Sequence, residues 1–294
     1  MSVRDFLFLW LLGALWGASF LFMRVAAPQF GPLALLGIRV GLAMVVLFPV
    51  LMTSKNRPQL WRHRWDFLFM ALFNMVLPFG LLAFASLRIE AGFTALLNST
   101  TPLFAALVGV VWLGKPVGFT KIAGIAAGMA GIVVLFGDRM GFAAGGAGVS
   151  VLAALGASLC YGLSSNYHSK KMSRLVPVEA TAAALLWAAL IMAPITVIFW
   201  PAVMPSAVSW ASVVALAVVC TAFALILYLG ILNRSGVLAA TSVTFLIPIF
   251  AILWGFVFLA EPLTARLFGG LPLVLLGTAL TLDIFKLEKR RATA

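Results

Sequence analysis

The chain has 294 residues, of which 64% are hydrophobic and only 10% charged, with a net charge of +12. A soluble domain carries roughly 25% charged residues, so this composition excludes a single soluble domain and a disordered chain. With two cysteines it excludes a disulfide scaffold as well,. What remains is a polytopic membrane protein whose first partner is the lipid bilayer. The basic residues form neither a face nor an arm, as nucleic-acid binding requires. They fall in short clusters between apolar runs, the pattern that marks the cytoplasmic side of a membrane.

A helix needs about 20 apolar residues to cross a hydrocarbon core. The first such run, 6–26, has no net positive charge before it, since Asp5 offsets Arg4, and no small-residue cleavage site after it. It reads as a retained span rather than a signal peptide. Nine more runs follow at 33–53, 67–87, 92–113, 119–136, 149–167, 178–200, 210–230, 237–259 and 267–285. Their uninterrupted apolar character fits helices and lacks the alternation of barrel strands. Cys160 and Cys220 lie inside these runs and read as reduced core residues.

The amino-terminal tail, alternate loops and carboxyl tail hold 15 Lys and Arg residues, whereas the opposite side and its span ends hold Arg24, Arg39, Arg88, Arg139 and Arg266. Both termini are therefore expected in the cytoplasm, with the chain in a bacterial inner membrane. The sequence also repeats. A shift of 146 places Arg88 on Arg234, Pro102 on Pro248, Phe104 on Phe250, Ala105 on Ala251 and Gly124 on Gly270. A shift of 145 brings Trp16-Gly17 onto Tyr161-Gly162 and Ser19 onto Ser164. Each half has an odd number of spans, so the second copy is inverted. Inverted repeats are a transporter signature, with substrate bound near the midplane between the halves. The expected fold is thus an all-α membrane protein of ten helices in two inverted five-helix repeats around a central cavity. The repeats are expected at 1–140 and 149–286, with a basic cytoplasmic tail at 287–294.

Polar residues within spans usually face the bundle interior. By helical spacing, Thr94, Asn98 and Thr101 share a face beside Pro102, and Thr241 and Thr244 share one with Pro248. Ser158, Tyr161, Ser165 and His168 form a stripe on the sixth span, and Asn74 precedes Pro78 on the third. Of the aromatics, Trp61, Trp65, Trp200 and Trp210 sit at span ends, where the interfacial belt explains them. Trp16, Trp187 and Tyr228 join Ser19 and the polar set above as candidates for lining a substrate cavity. Helix glue and simple packing are the alternatives for each. Gly13 and Gly17 form a small-residue face for close helix approach, with Pro78, Pro102 and Pro248 as kink or hinge positions.

All eight acids fall in tails, loops or span ends. A mid-membrane proton relay or cation site wants an intramembrane carboxylate, so neutral or zwitterionic solutes are favoured and Glu90 is the one acid kept as a coupling candidate. No G-x-S-x-G, P-loop or dinucleotide motif occurs, and two histidines with two cysteines make no metal cluster,. Neither an enzyme nor a cofactor or metal is expected. A channel would want a ring of charge or a filter loop, and neither is present.

Several motifs carry a family resemblance over the whole chain: Leu15-Trp16-Gly17-Ala18-Ser19-Phe20, Ile38-Arg39-Val40-Gly41-Leu42-Ala43, Ala95 through Pro102-Leu103, Gly114-Lys115-Pro116, Gly124, Pro248-Ile249, Glu261-Pro262 and Gly270. In order and spacing they resemble the EamA-like ten-helix transporters of the drug/metabolite transporter superfamily. Lys115 stands where a glutamate is common in that family, while Glu261 keeps it in the second half. Within the superfamily the chain looks most like bacterial exporters of aromatic and other neutral amino acids. That likeness implies an alternating-access exporter of small metabolites that uses no cofactor, with multidrug or other metabolite efflux as the alternative; the chain is expected to work as a monomer.

Overall fold

The computed structural model describes residues 1–114, 118–136 and 147–282. Every regular element among them is helical. Seven helices have the length and hydropathy to cross a membrane, and two shorter apolar ones, Phe119–Leu135 and Ala265–Thr281, accompany them. The first of the seven, Val3–Thr53, is double length and breaks at Gly31 (φ 71°, ψ 155°), a conformation open essentially to glycine alone. That break, flanked by Pro28 and Pro32, separates α1 (3–30) from α2 (32–53), and so ten apolar helices result.

The others follow in order. A short helix Arg57–Arg62 leads into α3 (Arg64–Ala85). Next come α4 (Ala91–Leu113), α5 (Phe119–Phe136), α6 (Gly148–Lys171) and α7 (Pro177–Ile198). The eighth, α8 (207–235), ends at a second glycine break, Gly236 (φ 84°, ψ 174°). It is followed by α9 (237–259), which has a turn at Ser242, and α10 (Ala265–Thr281). The expected spans thus coincide with helices, except that the end of the tenth, at 285, and the tail at 287–294 lie outside the described residues, as do Lys115, Pro116, Asp138 and Arg139.

The repeat reaches details of the backbone. Under the 145 shift the first residues of α1 and α2, Val3 and Pro32, fall on Gly148 and Pro177, the first residues of α6 and α7, and Pro49 falls on Pro194. Under the 146 shift Phe119 falls on Ala265, the starts of α5 and α10. The left-handed cap Gly114 (φ 60°) falls on the left-handed cap Ala260 (φ 53°). Both α3 and α8 contain a π-helical segment, Leu72–Val76 and Ala215–Phe223, and the first maps inside the second. Such bulges recur at functional sites.

Packing follows the same symmetry. On α1, a Cβ built at Gly17 would lie 2.7 Å from Phe250 Cβ and 2.9 Å from the Ala251 nitrogen of α9. On α6, one built at Gly162 would lie 2.8 Å from the Ala105 nitrogen of α4. The two crossings are repeat-equivalents. Where α5 meets α10, Gly124 faces Gly277 and Gly131 faces Gly270, with added Cβ atoms 2.8 Å and 3.0 Å from the facing carbonyls. Small residues let these backbones approach, which is how membrane helices associate where apolar burial against lipid gains nothing. One apolar core is built mainly from α1, α3, α4, α8 and α9. A second is centred on α2, α7 and the start of α3.

Candidate functional site

The site builds outward from α2. Pro32 starts the helix, and seven residues further, roughly 10 Å along the axis, stands Arg39. Sequence reading counts this residue among span-end charges. The structure corrects that: Arg39 is 6% exposed, inside the bundle, and without it the Lys/Arg imbalance becomes fifteen against four. Its Nε donates to Thr221 Oγ1 of α8 at 2.9 Å, and its Nη1 lies 3.9 Å from Met23 Sδ of α1. The guanidinium carbon sits 3.7 Å from the centroid of the Phe79 ring on α3, a close cation–π geometry. Tyr161 of α6 and Cys220 of α8 are the titratable side chains near it. Helices α1, α3 and α8, from both repeats, therefore contact the guanidinium that α2 carries.

The π segment of α8 has a part in this. Thr221 donates its hydroxyl to the Leu216 carbonyl, five residues back, at 2.8 Å, and so presents its lone pairs to Arg39. One residue before it, Cys220 faces Ser19 of α1, whose buried hydroxyl makes no well-formed hydrogen bond. Further along the same two helices the Trp16 and Tyr228 rings meet with centroids 5.3 Å apart and planes at 38°. This pair bridges the two repeats.

A second polar locus lies at α4, which is interrupted at Ser99-Thr100 between helical pieces Ala91–Asn98 and Thr101–Leu113. The freed carbonyls are met by hydroxyls. Leu97 O accepts from Thr100 (2.6 Å) and Ser158 (3.1 Å), Asn98 O from Thr101 (2.7 Å), and Ser99 O from Thr278 (3.0 Å). Asn98 Oδ1, by contrast, is buried without a partner. Discontinuous helices at membrane depth are tolerated where protein buries them or they line a cavity.

The remaining candidates distribute as follows. Asn74 accepts from Ser164 of α6 at 3.0 Å, tying α3 to α6 beside Tyr161. Thr94 is fully buried and donates to Glu90 O; Thr241 and Thr244 likewise bond back to Val237 O and Thr241 O. Ser165 is exposed and donates to Gly162 O of its own helix, whereas Tyr161 is half-buried. Trp187 packs against the second apolar core, which also takes in Phe79 and the neighbours of Arg39 on α2. Pro78, Pro102 and Pro248 are buried, and Gly13 approaches Leu246 and Phe250.

The helix ends carry polar ties between repeats. At one end Asp5 accepts from Arg234 Nε (2.9 Å), Ser235 (2.8 Å) and Ser2 (3.1 Å), while Tyr167 donates to Asp66, which also pairs with His63 at 2.7 Å. At the other end both Glu261 oxygens accept from the Ala91 nitrogen, at 2.9 Å and 3.0 Å. The sequence gives no sign of this cross-repeat cap on α4; there Glu261 is only a family motif position. Burial raises the Glu261 carboxyl above its ordinary value, more than the Ala91 and Gly92 amides lower it. Among the described residues no group of His, Cys, Asp and Glu is arranged to hold a metal.

Ten apolar helices in two inverted repeats, with a polar locus where the repeats meet, define a multi-pass transporter of the membrane. The model of the EamA-like transporter family matches the chain twice, at residues 5–137 and 148–283, and the chain belongs to that family. Similar proteins include the uncharacterized transporter YvbV of Bacillus subtilis (strain 168), 26% identical over 99% of this chain and 95% of its own. Protein PecM of Dickeya dadantii (strain 3937) is 24% identical over 99% of this chain and 96% of its own. A protein of known crystal structure, 20% identical, shares the fold over 100% of both chains with a TM-score of 0.66.

Proposed function

We propose that the chain exports small neutral or zwitterionic metabolites, foremost amino acids including aromatic ones, across a bacterial inner membrane by alternating access. Both termini face the cytoplasm, and the working unit is the monomer. The observation that carries this reading is the Trp16–Tyr228 pair spanning the seam between repeats, 5.3 Å centroid to centroid. Aromatic rings prefer offset or tilted partners at 4.5–7 Å, so a substrate ring entering the seam finds a surface of the right chemistry. Polar groups are available within the bundle: Ser19 one turn along α1 from Trp16, Tyr161 on α6 and the unpartnered Asn98 Oδ1 at the break in α4. The five described acids, Asp5, Asp66, Glu90, Glu179 and Glu261, all lie at or just beyond helix ends, which favours a gradient-driven carrier without a mid-membrane proton relay.

The test is counterflow. Purified protein in liposomes preloaded with unlabelled phenylalanine, tyrosine or leucine should accumulate the labelled amino acid transiently, with saturation. Accumulation for none of the panel would refute the substrate class, and ohmic current in place of counterflow would refute a carrier.

A further inference from the structure

We propose that Arg39 is the anchor for a carboxylate on the transported solute, so that the substrates are small carboxylates or zwitterions rather than amines or uncharged molecules. This deepens the transporter reading above and rests on it. A cation inside a membrane bundle normally pairs with an acid or with backbone carbonyls. Arg39 is given neither: among the described residues no carboxylate pairs with it, and its contacts are the Thr221 hydroxyl, the Met23 thioether and the Phe79 ring face. A guanidinium offers five N–H donors in a planar fork. The polar contacts here engage Nε and Nη1, the latter only through sulfur. That fork matches a carboxylate in bidentate geometry better than any other side chain does.

The fold itself does not require the charge. Under the 145 shift Arg39 falls on Ala184, which is buried in the corresponding helix α7. The same architecture is therefore satisfied by a methyl group in one repeat and given a guanidinium in the other. The surroundings fit a small amphipathic anion. Ser19 offers a buried hydroxyl without a well-formed bond, and Tyr161 is within electrostatic reach of Arg39. The Trp16–Tyr228 pair lies two turns along the same two helices, about 10 Å from the level of Met23 and Thr221, on the side where the apolar end of the solute extends.

The experiment uses binding to the purified full chain, read by thermal shift and by quenching of tryptophan fluorescence. The probes are phenylalanine, 3-phenylpropionate, phenylalaninamide and 2-phenylethylamine, and the variants are Arg39→Gln, Arg39→Lys and Thr221→Val. A charge-assisted contact of this kind predicts a roughly ten- to hundredfold loss of affinity for the two carboxylates in Arg39→Gln. Arg39→Lys should lose less, and Thr221→Val, which only frees Nε, less again. The amide and the amine should bind weakly to every form without change. If 3-phenylpropionate shows this pattern and no amino acid does, the anchor stands and the amino-acid assignment falls. If Arg39→Gln keeps its affinity for carboxylates, or loses carboxylates and amide alike, or if the parent binds neither carboxylate, the proposal is overturned and Arg39 is a structural tie between α2 and α8. Should Arg39→Gln fail to fold, the ordering of parent, Arg39→Lys and Thr221→Val on 3-phenylpropionate against the amide decides, and equal affinities there overturn it.

Discussion

Alanine in place of glycine at the two repeat-equivalent helix crossings measures how tightly the halves are joined. At Gly17 the added methyl meets Phe250 Cβ at 2.7 Å, the Ala251 nitrogen at 2.9 Å and the Ile247 oxygen at 3.0 Å. At Gly162 its three nearest neighbours are all backbone atoms of Phe104 and Ala105, from 2.8 Å to 3.2 Å. Carbon contacts are optimal at about 3.5–4.0 Å, and backbone cannot swing aside as a side-chain tip can. Each helix pair must therefore part by roughly 0.5–1 Å, at a cost of about 1–3 kcal/mol. The crossings involve different helices, so the double variant should lose about the sum of the two. Gly41 is the control, because a Cβ there meets nothing within 4 Å; Gly41→Ala should gain about 0.5–1 kcal/mol from lower unfolded-state entropy. Unfolding midpoints in detergent, followed by tryptophan fluorescence, report all four. If Gly17→Ala and Gly162→Ala unfold with the parent, or Gly41→Ala is the least stable, the close-approach argument is wrong.

Asn98→Leu removes a buried acceptor without a partner, so it should unfold no earlier than the parent, gaining about 1–3 kcal/mol, yet transport more slowly; a variant that is both less stable and fully active contradicts this. Glu261 binds its proton more tightly folded than unfolded, because burial raises its pKa from 4.5; the stability it contributes is complete below the unfolded value and is lost as pH rises through the folded one. Glu261→Gln, which keeps an acceptor for the Ala91 amide, should flatten that part of the stability-against-pH curve, and an unchanged slope would show that another group is responsible. In a background lacking Cys160 and Cys220, Gln59→Cys and Lys171→Cys should label only from the cytoplasm and Met204→Cys only from outside; all three positions are exposed, whereas Met172 is buried and unsuited to labelling. Counterflow driven by a substrate gradient should survive a protonophore, and its abolition would mean that a proton moves with the substrate.

The helices and their duplication are legible in the sequence because both are written in long runs: twenty apolar residues are hard to mistake, and spaced Gly and Pro survive in both copies. The break at Gly31 is legible too, since Pro28 and Pro32 bracket it. The centre of the site is not. Arg39 reads as a boundary charge when spans are cut at charged residues, although its place seven residues into an apolar run is a signal that it lies inside. Ser165 goes the other way. Spacing aligns it with Tyr161, but the packing of α6 on α4 buries Gly162 and Asn166 and leaves Ser165 exposed. The π segments of α3 and α8 leave no mark in side-chain pattern, because they arise from how the backbone accommodates neighbours. The break in α4 has a faint mark, the run Asn98-Ser99-Thr100-Thr101 before Pro102, and its meaning appears only when Ser158 and Thr278 are seen to meet its carbonyls.

The glycine contacts between α5 and α10 have a property beyond closeness. Gly124 faces Gly277 and Gly131 faces Gly270, and the repeat shift carries Gly124 to Gly270 and Gly131 to Gly277, so each contact turns into the other. This is the signature of an isologous interface, the kind that two copies of a single subunit make about a two-fold axis. A dimer of identical halves, however, carries every residue twice: a guanidinium at one mid-membrane position obliges a second at its mate, with two like charges in a medium of low dielectric. Joining the halves in one chain lifts that obligation. The self-complementary seam is retained, while one copy holds Arg39 and the other holds Ala184 at the matching place. Covalent linkage is thus what permits an asymmetric charged centre inside a symmetric frame.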